Sequence, residues 1–357
     1  MPDPSQPFDT SKFVNPSQVG GIESYEIADG AGRGVRALCV NTGGGLRYRV
    51  LVDRGLDIDH AFHNQHSLAF LTHGGVTRPS RAYDPGINWL ASFPGGLLTS
   101  CGPFNIGPPG EDEGEPLGLH GHHSNTPATI ESIVQPDPRN GRHEMSVTGV
   151  VRYGRLFGRN LELRRTIRSR LGGNAIDVVD EFTNVGNVRV PHAWLLHINL
   201  GYPLVDEGSE FCYDAHRVEP MPTDESRARF KPGGSFKRIP PALEAHRGFT
   251  EAVAQLFPRA AGDGSATVGV VNGKLGIGLA IRYDARQFGR CLNWQHWGPG
   301  EYVTALEPTN GSVRGRAADR TEGTLDHIEA GMRKTYAYRI EVVTEKSALD
   351  ALRGLNQ

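Results

Sequence analysis

The sequence predicts an all-β protein built as one large antiparallel β-sandwich. Its 357 residues include 46 glycines and 24 prolines, a composition that favours many turns and few long helices. Several segments alternate apolar and polar residues with a period of two, which is typical of strands that bury one face. The chain shows no sequence repeat, no βαβ rhythm and no clear linker. A single sandwich is therefore the simplest architecture for this length.

We divide the chain into three parts. Residues 1–20 are polar and contain prolines, so we expect a flexible N-terminal segment there. Residues 21–346 are expected to form the single β-sandwich domain that carries the functional site. Residues 347–357 are expected to form a short C-terminal helix or tail.

Composition argues against several classes of partner. A formal net charge of −2 gives no general attraction for nucleic acid or for an anionic membrane. No apolar run approaches membrane-spanning length, and residues 1–15 lack a basic segment followed by an apolar one. The four cysteines are widely spaced without a Cys-x-x-Cys pair, so neither a disulfide framework nor a thiolate zinc site is indicated. We expect a cytoplasmic protein, monomeric or homodimeric.

The first predicted strands lead into a charged segment. Residues 24–52 have the pattern of short strands, with a turn at the three consecutive glycines that begin at Gly43. Residues 53–59 then place three carboxylates around Arg54. This cluster is either a structural ion pair at a strand end or part of the polar wall of a site. Arg54 and Asp57 are its candidate site residues.

The segment 73–127 is rich in glycine and proline and has little periodicity. A loop this long inside a compact domain is normally either functional or disordered. Its aromatic residues Trp89, Phe93 and Phe104 argue against disorder. Strands are predicted again after Pro138, in the pattern of an antiparallel meander.

The later part of the chain predicts two hairpins and one poorly patterned segment. Residues 205–259 are predicted as loops with one short strand at most. Residues 268–281 predict a hairpin whose dipeptide Asn272-Gly273 favours a type I′ turn. Residues 291–308 predict a strand, a tight Gly-Pro-Gly turn and a second strand, and the alternation at 336–342 predicts the strand that closes the sheet.

A strand within residues 192–203 carries the leading catalytic candidate. Successive side chains of a strand point to opposite faces, so Leu196, Ile198 and Leu200 share one face while His197 and Asn199 share the other. An imidazole and an amide inside an apolar segment cost desolvation energy unless both find partners, and a ligand-binding cavity tolerates that cost. His197 is therefore the first candidate.

A carboxylate occupies a similar position on the second strand of the later hairpin. Val303, Ala305 and Glu307 share one face, so Glu307 ends an apolar row. A histidine and a partly buried glutamate are the groups that paired general acid and base catalysis needs. The alternative is a core histidine bonded to backbone and a glutamate in an ion pair, and spacing does not decide between them.

Three histidines, His120, His122 and His123, fall within four positions. They could be metal ligands, because His-x-His on a strand places both rings on one side, and with His197 and a carboxylate they would suit a divalent ion that acts as a Lewis acid. They could also include a sugar-binding residue, His120, or be exposed or structural.

Three tryptophans and two amides offer a possible carbohydrate surface. Trp89, Trp294 and Trp297 are ordinary core candidates, but an aromatic face beside amides such as Asn105 and Gln295 also suits a carbohydrate ring. The sequence has no Walker-type loop and no Gly-x-Gly-x-x-Gly after a strand, so no nucleotide cofactor is indicated.

Four segments together resemble the aldose 1-epimerases, the galactose-mutarotase-like proteins, and most closely a branch formerly labelled as a domain of unknown function. They are residues 53–57, residues 93–102 continuing through Leu-His-Gly at 119–121, residues 197–203 and residues 306–308. The resemblance extends from about Val50 to Val342 and implies a large antiparallel β-sandwich with an open sugar-binding cleft.

The resemblance also implies roles for individual residues. His197 corresponds to the catalytic histidine that protonates the ring oxygen of a pyranose, and Glu307 to the base that takes the proton of the anomeric hydroxyl. His120 corresponds to a second histidine that holds the sugar. The further substrate-binding candidates are Arg54, Asn105, Gln295, Asp57 and Trp89.

The sequence also departs from the family pattern. Well-characterised members carry an Asn-Arg pair shortly before the substrate-binding histidine, and residues 99–105 here contain no arginine. Asp214 is one guess for their sugar-binding aspartate. The resemblance therefore does not identify the sugar.

These observations predict a carbohydrate epimerase that uses no cofactor and no metal and acts at the anomeric carbon of an aldose or a sugar derivative. A small carbohydrate is its expected partner, without nucleic acid or membrane. One alternative is a metal-assisted sugar isomerase or epimerase that uses the His120 cluster. The other is a carbohydrate-binding protein without catalytic activity.

Overall fold

The computed structural model describes residues 8–248 and 250–356, and this part of the chain is mostly β. Its strands up to residue 170 are β1 (Gly21–Glu26), β2 (Arg36–Asn41), β3 (Leu46–Leu51), β4 (Asp57–His63), β5 (His66–Ser67), β6 (Thr99–Cys101), β7 (Gly110–Asp112), β8 (Glu115–Leu117), β9 (Ala128–Val134), β10 (Glu144–Gly154) and β11 (Asn160–Arg170). The later strands are β12 (Ala175–Asn184), β13 (Val190–His192), β14 (Leu195–Gly201), β15 (Glu210–Tyr213), β16 (Ala215–Pro220), β17 (Ala252–Pro258), β18 (Ser265–Asn272), β19 (Ile277–Asp284), β20 (Arg290–Gly298), β21 (Glu301–Thr309), β22 (Asp326–Ile328) and β23 (Arg333–Val343). The α-helices are α1 (Trp89–Ser92), α2 (Asp224–Arg229), α3 (Arg316–Thr321) and α4 (Lys346–Gly354).

Two large sheets form the sandwich. One has eight strands in the order β15-β18-β19-β23-β12-β11-β10-β9, and the other has six in the order β16-β17-β20-β21-β14-β6. The strands β1 to β5 form a further five-stranded sheet in sequence order, and the pairs β13-β22 and β7-β8 form two small sheets. The pairings between these strands are antiparallel. The predicted all-β sandwich is confirmed.

The main core lies between the sheets, and the period of two decides which side chains enter it. On β14, Leu196, Ile198 and Leu200 belong to this core, where they pack with apolar residues of the eight-stranded sheet. His197 and Asn199 therefore lie on the opposite face of the six-stranded sheet, as the alternation predicts. That face is where a cleft opens.

The ends of the chain have defined local structure where they are described. Residues 1–7 of the predicted flexible segment lie outside the described residues, and short 3-10 helices follow at Thr10–Lys12 and Pro16–Gln18. Near the other end, Leu349 and Leu352 of α4 pack with buried residues of β15, β18 and β19. Within residues 8–248 and 250–356, no helix combines the length and apolarity needed to cross a membrane.

Two local predictions need correction. Residues 205–259 contain β15, β16, α2 and β17, whereas we predicted one short strand at most. Strand β16 is mostly half-buried or exposed at the edge of its sheet, so its sequence lacks a clear alternation. The hairpin at β18 and β19 is confirmed, but its turn is not type I′. Asn272 pairs with Ile277, and its side chain accepts hydrogen bonds from two N–H groups of the four-residue loop between them.

A buried ion cluster joins the two large sheets. Arg165 on β11 is fully buried and donates two hydrogen bonds of 2.7 and 2.9 Å to Asp180 on β12. Its Nη1 lies 3.1 Å from Asp57 Oδ1, and its Nη2, one of the two nitrogens bonded to Asp180, also donates to Ser100 Oγ on β6 at 2.8 Å. The indole N–H of Trp194 donates to Asp180 as well. One cation thus connects β11 and β12 with the first residue of β4 and with β6.

We expect Arg165→Met to lower the free energy of unfolding by about 3–5 kcal/mol, because the substitution leaves two buried carboxylates without their cation. Arg164→Met is the matched control. Arg164 is the neighbour of Arg165 on the same strand, but it pairs with carboxylates near the surface, and such pairs contribute about 1 kcal/mol at most. Urea unfolding followed by circular dichroism measures both. Equal losses for the two variants would contradict a central role of the cluster.

Candidate active site

The cleft on the outer face of the six-stranded sheet has a volume of about 930 Å³. Its floor consists of side chains from β14, β20 and β21, and its walls come from loops and from α1. On β20, the residues that face the cleft are Leu292, Trp294 and His296, while Cys291 and Trp297 belong to the main core. Alternate side chains of β20 therefore face the cleft and the core, as they do on β14.

His197 and Glu307 meet at the floor. The register of β14 and β21 pairs Ile198 with Leu306, which places the two polar side chains beside each other on neighbouring strands. His197 Nε2 lies 3.5 Å from Glu307 Oε1, and both side chains are almost completely buried. The sequence predicted these two residues as a pair, and the fold brings them together.

Asn199 decides which nitrogen of His197 carries the proton. The Asn199 amide nitrogen donates to the carbonyl oxygens of Gly96 at 2.9 Å and His197 at 3.0 Å. Its amide oxygen consequently faces His197 Nδ1 and forms a short hydrogen bond with it. Because this oxygen can only accept, Nδ1 carries the hydrogen and the lone pair of Nε2 faces Glu307.

Burial moves the pKa values of the two groups in opposite directions. It raises the pKa of Glu307 to about 8, with a further contribution from the charge of Glu251. It lowers the pKa of His197 to about 4, against the hydrogen bond that His197 Nδ1 donates to Asn199, which favours the charged form. Near neutral pH the pair therefore holds one proton, and burial favours Glu307 as its carrier, with His197 neutral.

Aromatic rings surround His197. The ring centroids of Trp89, Phe93 and Trp294 lie 6.2, 5.4 and 5.5 Å from the centroid of His197. The indole N–H of Trp294 donates to Glu251 at 2.6 Å, so that carboxylate is held at the edge of the cleft. The rings exclude water around the pair, which explains the large effect of burial on both pKa values.

His120 reaches the cleft from the long loop. Its backbone has a φ of 57°, in the left-handed region that residues other than glycine rarely adopt. The N–H of Gly107 approaches His120 Nδ1 at 3.4 Å, so the hydrogen of the neutral ring is on Nε2. Burial lowers the pKa of His120 to about 3, which keeps the ring neutral. His120 can therefore donate one hydrogen bond into the cleft, 5.7 Å from His197 between ring centroids.

A family model described as "Domain of unknown function (DUF4432)" matches residues 32–342. The chain belongs to this family. The predicted membership of a branch labelled as a domain of unknown function is confirmed. A comparison with curated protein sequences found no match.

Solved structures share the fold of this DUF4432 chain. A Klebsiella pneumoniae protein assigned provisionally as an aldose 1-epimerase is 20% identical, with a TM-score of 0.81 over 93% of this chain and 86% of that one. A galactose mutarotase-like protein from Clostridium acetobutylicum is 10% identical, with a TM-score of 0.63 over 92% and 100%. Galactose 1-epimerase from Lactobacillus acidophilus is 11% identical, with a TM-score of 0.56 over 90% and 98%. At these identities the likeness shows the galactose-mutarotase-like fold.

Two charged candidates of the DUF4432 chain lie outside the cleft. Arg54 is buried, and its guanidinium donates to Ser92 O, to Thr77 Oγ1 and to Asn125 Oδ1. Asp57 belongs to the Arg165 cluster. Neither predicted sugar-binding residue lines the cleft: Asp57 pairs with Arg165 inside the protein, and Arg54 holds α1 and the end of the long loop through hydrogen bonds to uncharged groups.

Three further candidates are also placed elsewhere. Gln295 accepts a hydrogen bond from Arg229 at 2.6 Å and is fully buried, on the face of β20 opposite to Trp294. Asn105 lines a separate cavity of about 580 Å³ and donates to Gly118 O, which supports the His120 loop. Asp214 forms a surface ion pair with Arg259. None of the three lines the cleft, whereas Trp89 does.

The three histidines of the long loop diverge. His120 lines the cleft, while His122 lines the separate cavity. His123 is fully buried, 2.5 Å from the Tyr153 hydroxyl and 3.5 Å from Asp57. Among the described residues, no group of three His, Cys, Asp or Glu side chains is placed to hold a metal ion. The geometry therefore gives no support to the metal-binding hypothesis for this cluster.

Among the cleft residues that sequence reasoning missed, His296 and Glu251 are the ones nearest in character to the predicted pair. The alternation of side chains could have identified His296, because it lies two positions after Trp294 on the same strand and so faces the same side. Glu251 had no such signal, since it precedes β17 in a segment predicted as loop and reaches the site through its contact with Trp294.

The raised pKa of Glu307 predicts how stability depends on pH. Between its ordinary value of 4.5 and about 8, the folded protein keeps a proton that the unfolded chain releases, so the contribution of Glu307 to stability is lost as pH rises through this window. Glu307→Gln imitates the protonated form. We expect this variant to gain stability relative to the wild type between pH 5 and pH 9, by up to about 1.4 kcal/mol for each unit of the pKa difference.

Urea unfolding at several pH values measures this difference. Glu301→Gln is the control, because Glu301 is exposed at the cleft mouth and its replacement removes a carboxylate without changing the buried pair, so it should not reproduce the behaviour of Glu307→Gln. A constant difference for Glu307→Gln would show that Glu307 is ionised in the folded protein at neutral pH.

Proposed function

We propose that the protein is a cofactor-independent carbohydrate epimerase that interconverts the anomers of an aldose or a sugar derivative. The observation that supports this proposal most directly is the His197–Glu307 pair, which shares one proton at the floor of a cleft of sufficient size for a sugar. Ring opening of a pyranose needs one group that gives a proton to the ring oxygen and one that takes the anomeric proton.

The reaction moves one proton through the pair in each direction. Ring opening begins with the imidazolium form of His197 and the carboxylate form of Glu307. Glu307 takes the proton of the anomeric hydroxyl, the C1–O5 bond breaks towards O5, and His197 Nε2 gives its proton to O5. The products are the free aldehyde, neutral His197 and protonated Glu307. Rotation about the C1–C2 bond and the reverse steps give the other anomer.

Burial of the pair favours the protonation state from which ring closure starts. Neutral His197 and protonated Glu307 are the forms that burial favours. For ring opening the proton must move from Glu307 to His197, and the 3.5 Å gap between Oε1 and Nε2 is short enough for transfer once the pair tightens around a bound sugar. The Asn199 hydrogen bond keeps Nε2 directed at the site of transfer.

The other cleft residues would hold the sugar. The Nε2–H of His120 is placed to donate to a sugar hydroxyl, and Trp89 and Trp294 offer faces for the C–H groups of the ring. The proposed partner is thus a small carbohydrate, and the proposed location is the cytoplasm, with which four unpaired cysteine thiols are consistent. A monomer or a homodimer is proposed. The rival hypothesis of a carbohydrate-binding protein uses the same contacts but requires no proton transfer.

Substitution of the pair should remove the activity. We expect His197→Ala and Glu307→Gln each to lower kcat by about 10²–10⁴-fold, the usual contribution of general acid or base catalysis. NMR exchange spectroscopy on a panel of reducing sugars measures the interconversion of anomers. His216→Ala and Glu131→Gln serve as controls with unchanged rates, because both residues lie on other strands outside the cleft. Wild-type protein that binds a sugar without accelerating exchange would favour the carbohydrate-binding protein instead.

The dependence of kcat/KM on pH should be bell-shaped. The pair is active with one proton, so kcat/KM falls below about pH 4, when His197 is protonated in addition to Glu307, and above about pH 8, when Glu307 loses its proton. In Glu251→Gln the alkaline limb should move to lower pH, because the charge of Glu251 raises the pKa of Glu307. An alkaline limb that is the same in both proteins would contradict this assignment.

A further inference from the structure

Polar groups cluster on the floor of the cleft. His197, Glu307 and His296 lie there, with His120 beside them. Three polar side chains of the walls are already used within the protein: Thr72 Oγ1 donates to Phe93 O at 2.8 Å, Thr223 Oγ1 donates to Ser226 Oγ at 2.7 Å, and Arg314 is paired with Glu322. His73, Thr250 and Glu301 are further polar residues of the lining. Sugar hydroxyls directed at a part of the wall without such groups would lack partners, which costs binding energy.

One wall instead presents large apolar side chains. This apolar wall consists of Leu71, Ile87 and Leu90, which line the cleft and are 38%, 62% and 43% exposed. Exposed apolar side chains that share one concave surface indicate a binding site more often than scattered ones do.

The apolar wall is fixed beside the catalytic strand. Leu71 forms a β-bridge with Gly95, and Ala69 forms one with Leu200 on β14. The Phe70 N–H donates to the carbonyl of Asn199 at 3.2 Å. Ile87 and Leu90 are held by a turn hydrogen bond of 3.0 Å that leads into α1, the helix that carries Trp89. The wall therefore keeps its position relative to His197.

The cleft is also larger than one sugar ring requires. Its volume of about 930 Å³ lies near the upper end of the range of about 300–1,000 Å³ that is typical of sites for drug-sized ligands. A pyranose over the acid and base pair would leave space between the ring and the apolar wall.

We propose that the substrate is an amphipathic reducing sugar, an aldose that carries an alkyl or acyl group on the carbons remote from C1. The inference rests on the proposed function. The anomeric carbon would lie at His197 and Glu307, the hydroxyls at the polar floor, and the apolar group against Leu71, Ile87 and Leu90. A 6-deoxy sugar, in which a methyl group replaces the hydroxymethyl group, is the smallest member of this class.

The test compares each parent sugar with two derivatives. D-Glucose, D-galactose and D-mannose are each measured beside their 6-deoxy and 6-O-butyryl forms by NMR exchange spectroscopy. In the configuration that the protein accepts, we expect kcat/KM to be about 10-fold or more higher for the derivatives than for the parent. The 6-O-butyryl form adds carbon atoms that the apolar wall can bury, and the 6-deoxy form lacks the hydroxyl that the apolar wall would leave without a partner.

Substitutions then connect this preference with the apolar wall. Leu90→Asn and Ile87→Asn should each lower the ratio of kcat/KM between derivative and parent towards one. Leu156→Asn is the matched control: Leu156 is 81% exposed at the tip of the β10–β11 hairpin and does not line the cleft, so the ratio should not change. Both wall residues are exposed, so their replacement should leave the fold intact.

The possible failures are distinguishable. Equal kcat/KM for parents and derivatives, with measurable exchange, would overturn the amphipathic substrate and leave the epimerase proposal standing. If no sugar is converted, the epimerase proposal fails. NMR titration then measures the binding of the same sugars and tests whether the ligand is amphipathic. Tighter binding of the 6-O-butyryl sugar that Leu90→Asn weakens would support the amphipathic ligand. Equal or undetectable binding of all the sugars would overturn it.

Discussion

The buried ion cluster of Arg165 is the interaction on which the rest of the structure depends. A guanidinium and two carboxylates in a core lose hydration that only mutual pairing and hydrogen bonds can replace. Arg165 finds its partners in Asp180, Asp57 Oδ1 and Ser100, while Asp57 Oδ2 is left without a hydrogen bond. It also specifies register, because Arg165 and Asp180 are direct partners across β11 and β12. A slip by one residue would turn the side chains of that strand to the opposite face and separate the charges.

The same cluster is connected to the proton on His197. Ser100, which accepts from Arg165, lies on β6 opposite Leu196, next to the pair of Thr99 and His197. The carbonyl of Gly96, a few residues earlier in the same segment, accepts from the Asn199 amide that orients the imidazole. The ion cluster in the core thus holds β6 in place, and the neighbouring strand β14 carries His197. The tautomer of His197 also depends on the segment that leads into β6, because Gly96 in that segment orients Asn199.

The alternation of side chains between the two faces of a strand explains both the successes and the errors of the sequence analysis. The alternation around His197 and the row that ends at Glu307 predicted two side chains that the fold brings to 3.5 Å. The same rule applied to β20 would have placed His296 in the cleft and excluded Gln295. Arg165 occupies an inward position in an apolar row, which was a visible signal of a buried partner. The alternation of side chains could not predict the positions of His120 and Glu251, since loop geometry and long-range contacts determine them. His120 was expected in the site only because the family resemblance implied it.

The apolar surroundings of His197 and Glu307 affect both the pKa values of the pair and the kind of ligand that the cleft favours. The rings of Trp89, Phe93 and Trp294 reduce hydration, which holds Glu307 protonated and His197 neutral near pH 7. A strongly hydrated ligand would bring water to the pair and reduce both shifts, whereas a ligand with its own apolar group would displace water from the wall and preserve them. The tuning of proton transfer and the preference for an amphipathic sugar are therefore expected to change together when the apolar character of the cleft is changed.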